Sequence, residues 1–427
     1  RAVDSLAAVL PRCVHPDGMP LVVGKSTVPV GTAQQVADRL AGRALVVWNP
    51  EFLRESMAVA DTLSPDRIVY GLPTEPARAE RARAILDEVY APILAAGTPR
   101  LTMDYQTAEL VKTAANAFLA TKISFINAMS ALCAATGADV TVLADAIGRD
   151  ARIGPHFLRA GLGFGGGCLP KDLRGLEQSA AELGANGLAS FLSRVDSINR
   201  GQRDRVTQMA LEALGPNPAG RAVTILGITF KPDSDDLRDS PVLEVALRLA
   251  DADAVVTVHD PRGLEGLSRL HPVLRAQPDA LRALEGAELV ILGTEWKELT
   301  DLDPRAAAAR VSLVTQSVST PGRARSTRTV GTPRPRTLLK VAGSWETVSR
   351  MMPSTCLRME SRMTSASRSG SSSRLEARTA TPRARATSST PRWSSPAKGL
   401  ATSLTSRAML DVAPSERRRL PARWSRW

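Results

Sequence analysis

The composition of this chain breaks near Thr315, and the break limits how much of it can fold. From Gln316 to Trp427 there are 22 Lys+Arg against 5 Asp+Glu, a net of +17, although all 427 residues together carry only +12. The first 315 residues are therefore mildly acidic, at −5. The tail has no Phe, Tyr, Ile, Asn or His and is dense in Ser, Thr, Pro and Arg. Such a segment buries too little apolar surface to offset its chain entropy, so disorder is expected over 315–427. Twenty of its 22 cations are Arg, and no helical or strand period runs through it. It reads as a GC-rich gene translated out of frame, not as a basic arm for nucleic acid. No nucleic-acid partner is expected.

The body alternates short apolar runs with helical patterns. Leu21–Val23, Ala44–Trp48 and Arg67–Tyr70 read as strands, and Pro76–Val89 as a helix. Thr32 is placed to cap a helix running through Leu40. This alternation predicts a parallel α/β sheet with ligands at the carboxyl ends of its strands. The longest helical pattern covers 104–136, with Asp104 as N-cap and Gly137 just past its end. A helical stretch follows to about Asn199. A second α/β unit is then expected, with strands over Ala222–Phe230, Ala254–Val258 and Glu288–Gly293 and a helix from Ser240-Pro241 to about Ala250. The fold class is thus α/β: two Rossmann-like parallel-sheet domains, the first incomplete, joined by a long-helix central domain and followed by a disordered tail. The boundaries are 1–100, 101–200, 215–314 and 315–427.

No unbroken run of 18 apolar residues occurs, which argues against a membrane partner. The start, Arg1-Ala2-Val3-Asp4-Ser5, shows neither a signal-peptide core nor an initiating Met. Cys13, Cys133, Cys168 and Cys356 have neither metal-ligand nor disulfide spacing, so no metal is expected and a reducing cytoplasm fits.

Chemistry concentrates at Gly163-Phe164-Gly165-Gly166-Gly167-Cys168-Leu169-Pro170-Lys171-Asp172. The glycines leave room for a ligand near the backbone. Pro170 suits a first helical turn, which sets Cys168 at the positive end of a helix, and Lys171 adds a cation; both favour thiolate. Lys112 and Asn116, four residues apart, share a helix face. The body holds 27 Arg but only six Lys, at 25, 112, 122, 171, 231 and 297. Lys25, Lys171 and Lys231 lie in Gly/Pro-bearing loops, as if Lys were kept where a compact ammonium is needed.

Five motifs carry a resemblance: Lys25 to Thr32, Asn49 to Glu55, Glu109 to Ala120, the Cys168 loop, and Phe230-Lys231-Pro232 with Asp235 to Arg238. In this order they resemble the UDP-glucose/GDP-mannose dehydrogenase family over about residues 1–314. Pro65 to Val69 looks more like its UDP-glucose branch. The resemblance implies NAD-dependent, four-electron oxidation of UDP-glucose to UDP-glucuronate through a Cys168 thiohemiacetal and thioester, in the service of polysaccharide biosynthesis. GDP-mannose and a UDP-N-acetylhexosamine are the alternative substrates. Lys112 and Asn116 would stabilise the oxyanion, Glu51 would act as general base, and Thr27 and Asp172 would hold the water. Thr27, Glu55, Lys171 and Arg238 would face the cofactor. Glu51, Lys112, Asn116, Phe157, Arg159, Gly163, Phe164, Gly165, Gly166, Phe230 and Lys231 would hold the nucleotide sugar, and Arg152 would reach the neighbour's substrate in a homodimer or higher homo-oligomer.

Two departures stand out. Ser56-Met57 follows Glu55 where the family has Gly and a small or polar residue. The family's opening strand–Gly-x-Gly-x-x-Gly–helix does not precede Leu21, an omission of roughly 80–90 residues, or about three βα units. The expectation is a truncated, frame-disrupted product, inactive as written, at most a nucleotide-sugar-binding remnant.

Overall fold

Two sheets are joined by two long helices. A computed structural model describes residues 2–10, 19–303, 310 and 337–340. The chain opens with α1 (Ala2–Val9), β1 (Leu21–Gly24), α2 (Thr32–Leu40), β2 (Leu45–Trp48), α3 (Ala58–Leu63), β3 (Ile68–Leu72), α4 (Pro76–Val89), α5 (Ala91–Ala95) and β4 (Arg100–Asp104). The centre is helical: α6 (Tyr105–Thr136), α7 (Val140–Gly148), α8 (Leu169–Glu182) and α9 (Asn186–Leu214). The second α/β unit follows with β5 (Ala222–Leu226), α10 (Pro241–Asp251), β6 (Val255–His259), α11 (Leu264–Leu270), β7 (Arg275–Ala276), α12 (Ala280–Ala283), β8 (Leu289–Leu292), α13 (Lys297–Thr300) and β9 (Thr337–Lys340).

The first sheet has the order β1-β2-β3-β4. It departs from the expected all-parallel arrangement at one place, where β2 and β3 meet antiparallel through the single pair Trp48–Gly71. Gly71 permits this contact, since a Cβ there would press on both Trp48 and Ala108. The second sheet, β7-β6-β5-β8-β9, is parallel throughout. Its β5 is shorter than expected, because Gly227 adopts φ +82° and turns the chain out of the strand.

The strand β9 is a correction of another kind. Low complexity over 315–427 gave no sign of regular structure, yet Thr337–Lys340 pairs in parallel with Leu289–Leu292. The rest of that stretch lies outside the described residues, as do Cys13 and Cys356.

Helix α6 begins as expected, with the Asp104 side chain accepting from Thr107 N and Gly137 left-handed at its end. Its first turns pack Tyr105 and Ala108 against Val46, Trp48 and Val69 of the first sheet. Further along, Ala117 and Ala120 meet Leu173, Leu176, Leu192 and Val195 of α8 and α9. Helix α9 runs on to Leu214, past the expected end at Asn199, and its Val206, Ala210 and Leu214 join the core over β5, β6 and β8. Each long helix therefore anchors in one sheet and meets the other helix in the middle. Burying each of the Leu and Val side chains among these contributes about 1.5–3 kcal/mol.

Helix α6 is also long and apolar enough to cross a membrane by length and composition, which the search for an unbroken apolar run did not register. Its buried face carries Glu109, Lys112 and Asn127, whose side chains are hydrogen-bonded within the protein. That is how a core helix behaves.

Candidate active site

The site begins at the carboxyl ends of the first-sheet strands. Lys25 Nζ donates to Asn49 Oδ1 (2.6 Å) and to the Tyr90 hydroxyl (3.0 Å). Asn49 Nδ2 donates in turn to Val69 O (2.8 Å). This lock joins the loops after β1 and β2 to β3 and to the end of α4. Two residues beyond its anchors lie Thr27 and Glu51. Phe52 rests on the Arg67 guanidinium, 3.9 Å from its ring centroid, which steadies the Glu51 loop.

Helix α6 pins these loops from one face. Glu109, fully buried, accepts from Gly31 N and Ala33 N, both at 2.6 Å. It thereby serves as the N-terminal cap of α2, a task the sequence assigned to Thr32, whose hydroxyl instead donates to Pro29 O. Gly31, left-handed at φ +92°, presents its N–H to the carboxylate. Burial pushes the Glu109 carboxyl above its ordinary range, while these backbone donors pull it back. One turn on, the buried Lys112 ammonium forms an ion pair with Glu51. Another turn on, Asn116 Nδ2 donates to Asp172 Oδ2 (2.7 Å).

Asp172 is the junction. Thr27 Oγ1 reaches the same carboxylate oxygen at 3.5 Å, the outer limit of a hydrogen bond. Lys171 Nζ stands 2.9 Å from Oδ1 in an ion pair without hydrogen-bond alignment. The carboxylate is 3 % exposed, so its charge is felt by every one of these donors. Cys168 is the N-cap residue of α8, with its carbonyl accepting from Asp172 N at 2.9 Å. The thiol is free and exposed, one helical turn from the junction.

The glycine loop packs closely against its neighbours. A Cβ at Gly163 would collide with Asn199, at Gly165 with the Asp239 carbonyl, at Gly166 with the Phe230 ring and at Gly167 with the Arg238 guanidinium. The space that these glycines leave is filled by protein, so they press the Cys168 loop against α9 and the 230–241 segment. Arg238 reaches over Gly167 while bonded to Asp236, whose carboxylate keeps its charge strongly favoured; Glu55 and Cys168 add to that field.

Glu55 and Lys231 are brought into contact, although the resemblance assigned them to different ligands. Lys231 Nζ donates to Glu55 O (2.5 Å), Ser234 donates to the Glu55 carboxylate, and Ser56 Oγ donates to Asp233 O (2.5 Å). Ser56, at φ +68°, takes a left-handed backbone that favours glycine. Lys231 also lies 5.5 Å from the Phe230 ring centroid. Four of the six body lysines, Lys25, Lys112, Lys171 and Lys231, thus hold point contacts around one region. Lys122 instead binds the carbonyls of Ile153 and Gly154.

That turn carries the outlying candidates. Phe157 is exposed at φ +63°, a conformation that costs a non-glycine residue about 1–3 kcal/mol. Arg159 is exposed, and Arg152 is paired with Asp150 (2.7 Å). Among the described residues, no hydrogen bond or ion pair joins Phe157, Arg159 or Arg152 to the Asp172 junction. Sequence reasoning assigned no role to Asn49, Tyr90, Glu109 or Asn199. Asn49 and Glu109 stand inside recognisable motifs, whereas nothing marks Tyr90 or Asn199 before folding. Among the described residues, no group of three or more His, Cys, Asp or Glu is arranged to hold a metal.

Comparison with known proteins finds three models of one family along the chain, all from the UDP-glucose/GDP-mannose dehydrogenase family. Its NAD binding domain matches residues 2–94, its central domain 106–201 and its UDP binding domain 224–324. A UDP-glucose 6-dehydrogenase of Rhizobium meliloti is 40% identical over 291 residues, 67% of this chain and 65% of the relative. One of Pseudomonas aeruginosa is 39% identical over 298 residues, 66% of this chain and 64% of the relative. Among solved structures, a UDP-glucose dehydrogenase from Pyrobaculum islandicum aligns at a TM-score of 0.61 and 40% identity, over 67% of this chain and 65% of that one. The chain spans just under two thirds of the length of these curated relatives.

Proposed function

This chain belongs to the UDP-glucose/GDP-mannose dehydrogenase family, and from that premise we propose that the site oxidises the primary alcohol of UDP-glucose to the carboxylate of UDP-glucuronate. The observation that carries the reading is the junction itself. Thr27, Glu51, Lys112, Asn116 and Asp172 come from four separate segments; the Thr27 and Asn116 contacts meet on Asp172, one helical turn from a free thiol, and Lys112, one α6 turn from Asn116, pairs with Glu51.

The donor set suits NAD. Two exposed cations, Lys171 and Arg238, and the Thr27 hydroxyl stand about the Cys168 turn, with Glu55 beside Arg238. When bound, NAD supplies hydride acceptance, once at the alcohol and once at the thiohemiacetal. The chain's own residues do the rest. The Cys168 sulfur adds to the aldehyde carbon, so the reactive intermediate stays covalently held. Lys112 and Asn116 donate to the oxygen that gains charge in this adduct. In the thioester stage Glu51 takes the proton from the attacking water, which Thr27 and Asp172 orient. The carbon–sulfur bond breaks, the thiolate is regenerated and the carboxylate leaves.

Phe230, Lys231, Phe157, Arg159 and the Gly163–Gly166 loop form the wall for the nucleotide sugar in this reading. A homodimer completes the site, with Arg152 directed to the neighbour's substrate. Its support is an exposed apolar stripe on α6, where Phe118, Phe125 and Leu132 recur every seven residues at 66%, 51% and 55% exposure. Phe125→Glu should convert a dimer to a monomer in sedimentation velocity; an unchanged sedimentation coefficient would count against this face. The reducing cytoplasm is the compartment that keeps such a thiol free, and a uronate product serves polysaccharide biosynthesis.

The direct test, in a version carrying the family's Gly-x-Gly-x-x-Gly unit ahead of Leu21 and the family's C-terminal pattern, is NADH formation with UDP-glucose, GDP-mannose and UDP-N-acetylmannosamine side by side, with calorimetric binding of each sugar in parallel. UDP-glucose should give NADH and acid in a two-to-one ratio. Preference for another sugar, or binding without NADH, would overturn the assignment.

A further inference from the structure

We infer that Asn199 is a positioning residue that fixes the Cys168 loop, a role resting on the reading of Cys168 as the nucleophile. Asn199 is completely buried on α9. Its Oδ1 accepts from Phe164 N (2.7 Å) and its Nδ2 donates to Phe164 O (3.0 Å). One side-chain amide therefore satisfies both backbone groups of Phe164, as a neighbouring strand would. Phe164 is the last residue with a side chain before Gly165-Gly166-Gly167 and the thiol. Three glycines in succession have wide backbone freedom, so the path to Cys168 is defined only if its ends are held. Asn199 holds one end and the α8 N-terminus holds the other. Between them, Gly166 N donates to Arg238 O (2.9 Å).

The clamp continues along α9. Asp196, Asn199 and Arg203 are spaced three and four apart, hence on one face, and all are buried. Arg203 Nη2 reaches Phe164 O (3.4 Å), and its Nη1 bonds Asp239 Oδ1 (3.1 Å) and pairs with Glu244. Asp196 binds Arg174 of α8 at 3.2 Å, and Arg174 also reaches Asp239 at 3.2 Å. One helix face thus holds the loop before the thiol, the helix after it and the segment that packs on its glycines. Gly163, at φ +97°, has no room for a Cβ because Asn199 Oδ1 occupies that place. The glycine and the asparagine form one fitted pair.

Asn199→Asp keeps the shape and the acceptor but replaces the donor that faces Phe164 O. The readout is the rate at which iodoacetamide alkylates Cys168 in the native chain, followed peptide by peptide by mass spectrometry. It requires neither cofactor nor substrate. The rate at neutral pH should change at least ~10-fold, since a thiol's reactivity follows its exposure and the charges beside it, and the loop that Asn199 holds sets both. Leu284→Ala, a core change in a cluster that contains no residue of the Cys168 loop or of α9, serves as control and should leave that rate within ~2-fold even with a lowered melting temperature, because its cost is a cavity. If Asn199→Asp does not fold, Arg203→Lys, which loses the fork that spans Phe164 O and Asp239, should change the rate at least several-fold. Parental alkylation in a folded Asn199→Asp or Arg203→Lys protein overturns the inference. A changed Cys168 rate in Asn199→Asp together with full turnover by Cys168→Ser would uphold the clamp and reject the nucleophile instead.

Discussion

Cys168→Ser should abolish conversion of alcohol to acid while leaving nucleotide-sugar affinity near its parental value. The nucleophile in thioester chemistry is the thiolate, and a serine hydroxyl has no ionised fraction to match it near neutral pH. Loss of a covalent nucleophile from an assembled site costs on the order of 10³-fold or more in turnover. Binding should persist, because in the proposed reading Phe230, Lys231, Phe157 and Arg159 hold the nucleotide sugar independently of the sulfur. The comparison is steady-state NADH formation beside calorimetric affinity for UDP-glucose, in a preparation that turns over the parent reaction. Acid formation by Cys168→Ser at the parental rate would reduce Cys168 to a packing residue.

Lys112→Ala should lower turnover by about 100–1000-fold, the range seen when one oxyanion donor is removed. It also strips Glu51 of its buried cationic partner. Lys112 and Glu51 therefore act as a unit, and Glu51→Gln in the Lys112→Ala background should cost much less than Glu51→Gln alone. Lys112→Arg should not restore activity, since a planar fork does not replace a compact ammonium in a site this enclosed. Additive losses across the four proteins of this cycle would show that the pair is not coupled.

The elements were legible where local chemistry decides them. Pro76–Val89 and the limits of α6 follow from Pro at a first turn, an N-cap Asp and a left-handed Gly. The sequence was misleading where a distant group takes over a local task. Thr32 has the chemistry of a cap, but Glu109 from α6 occupies that helix end. The continuation of α9 past Asn199 is decided by its burial over the second sheet, which no local stop signal records. The β9 pairing was hidden for a similar reason, because Thr337–Lys340 gains its partner from β8, far away in the chain.

Within the site, sequence alone marked a thiol at a helix start and a Lys and an Asn on one helix face as candidates, and the family resemblance added Thr27, Glu51 and Asp172. Those assignments rest on spacings of three to eight residues, and such spacings survive in any compact arrangement of the same elements. Tertiary structure decided how the groups pair. Lys112 neutralises Glu51, Asn116 shares Asp172 with Thr27, and Glu55 is bound to the Lys231 loop across 176 residues of chain. It also packed the glycines, on the side a Cβ would occupy, against Asn199, Asp239 and Phe230. The physical reason is that a charge or an open Cβ position has no preferred partner until folding removes water from around it. Which partner then arrives is set by the packing of α6 and α9 on two sheets, and by no property of the residue itself.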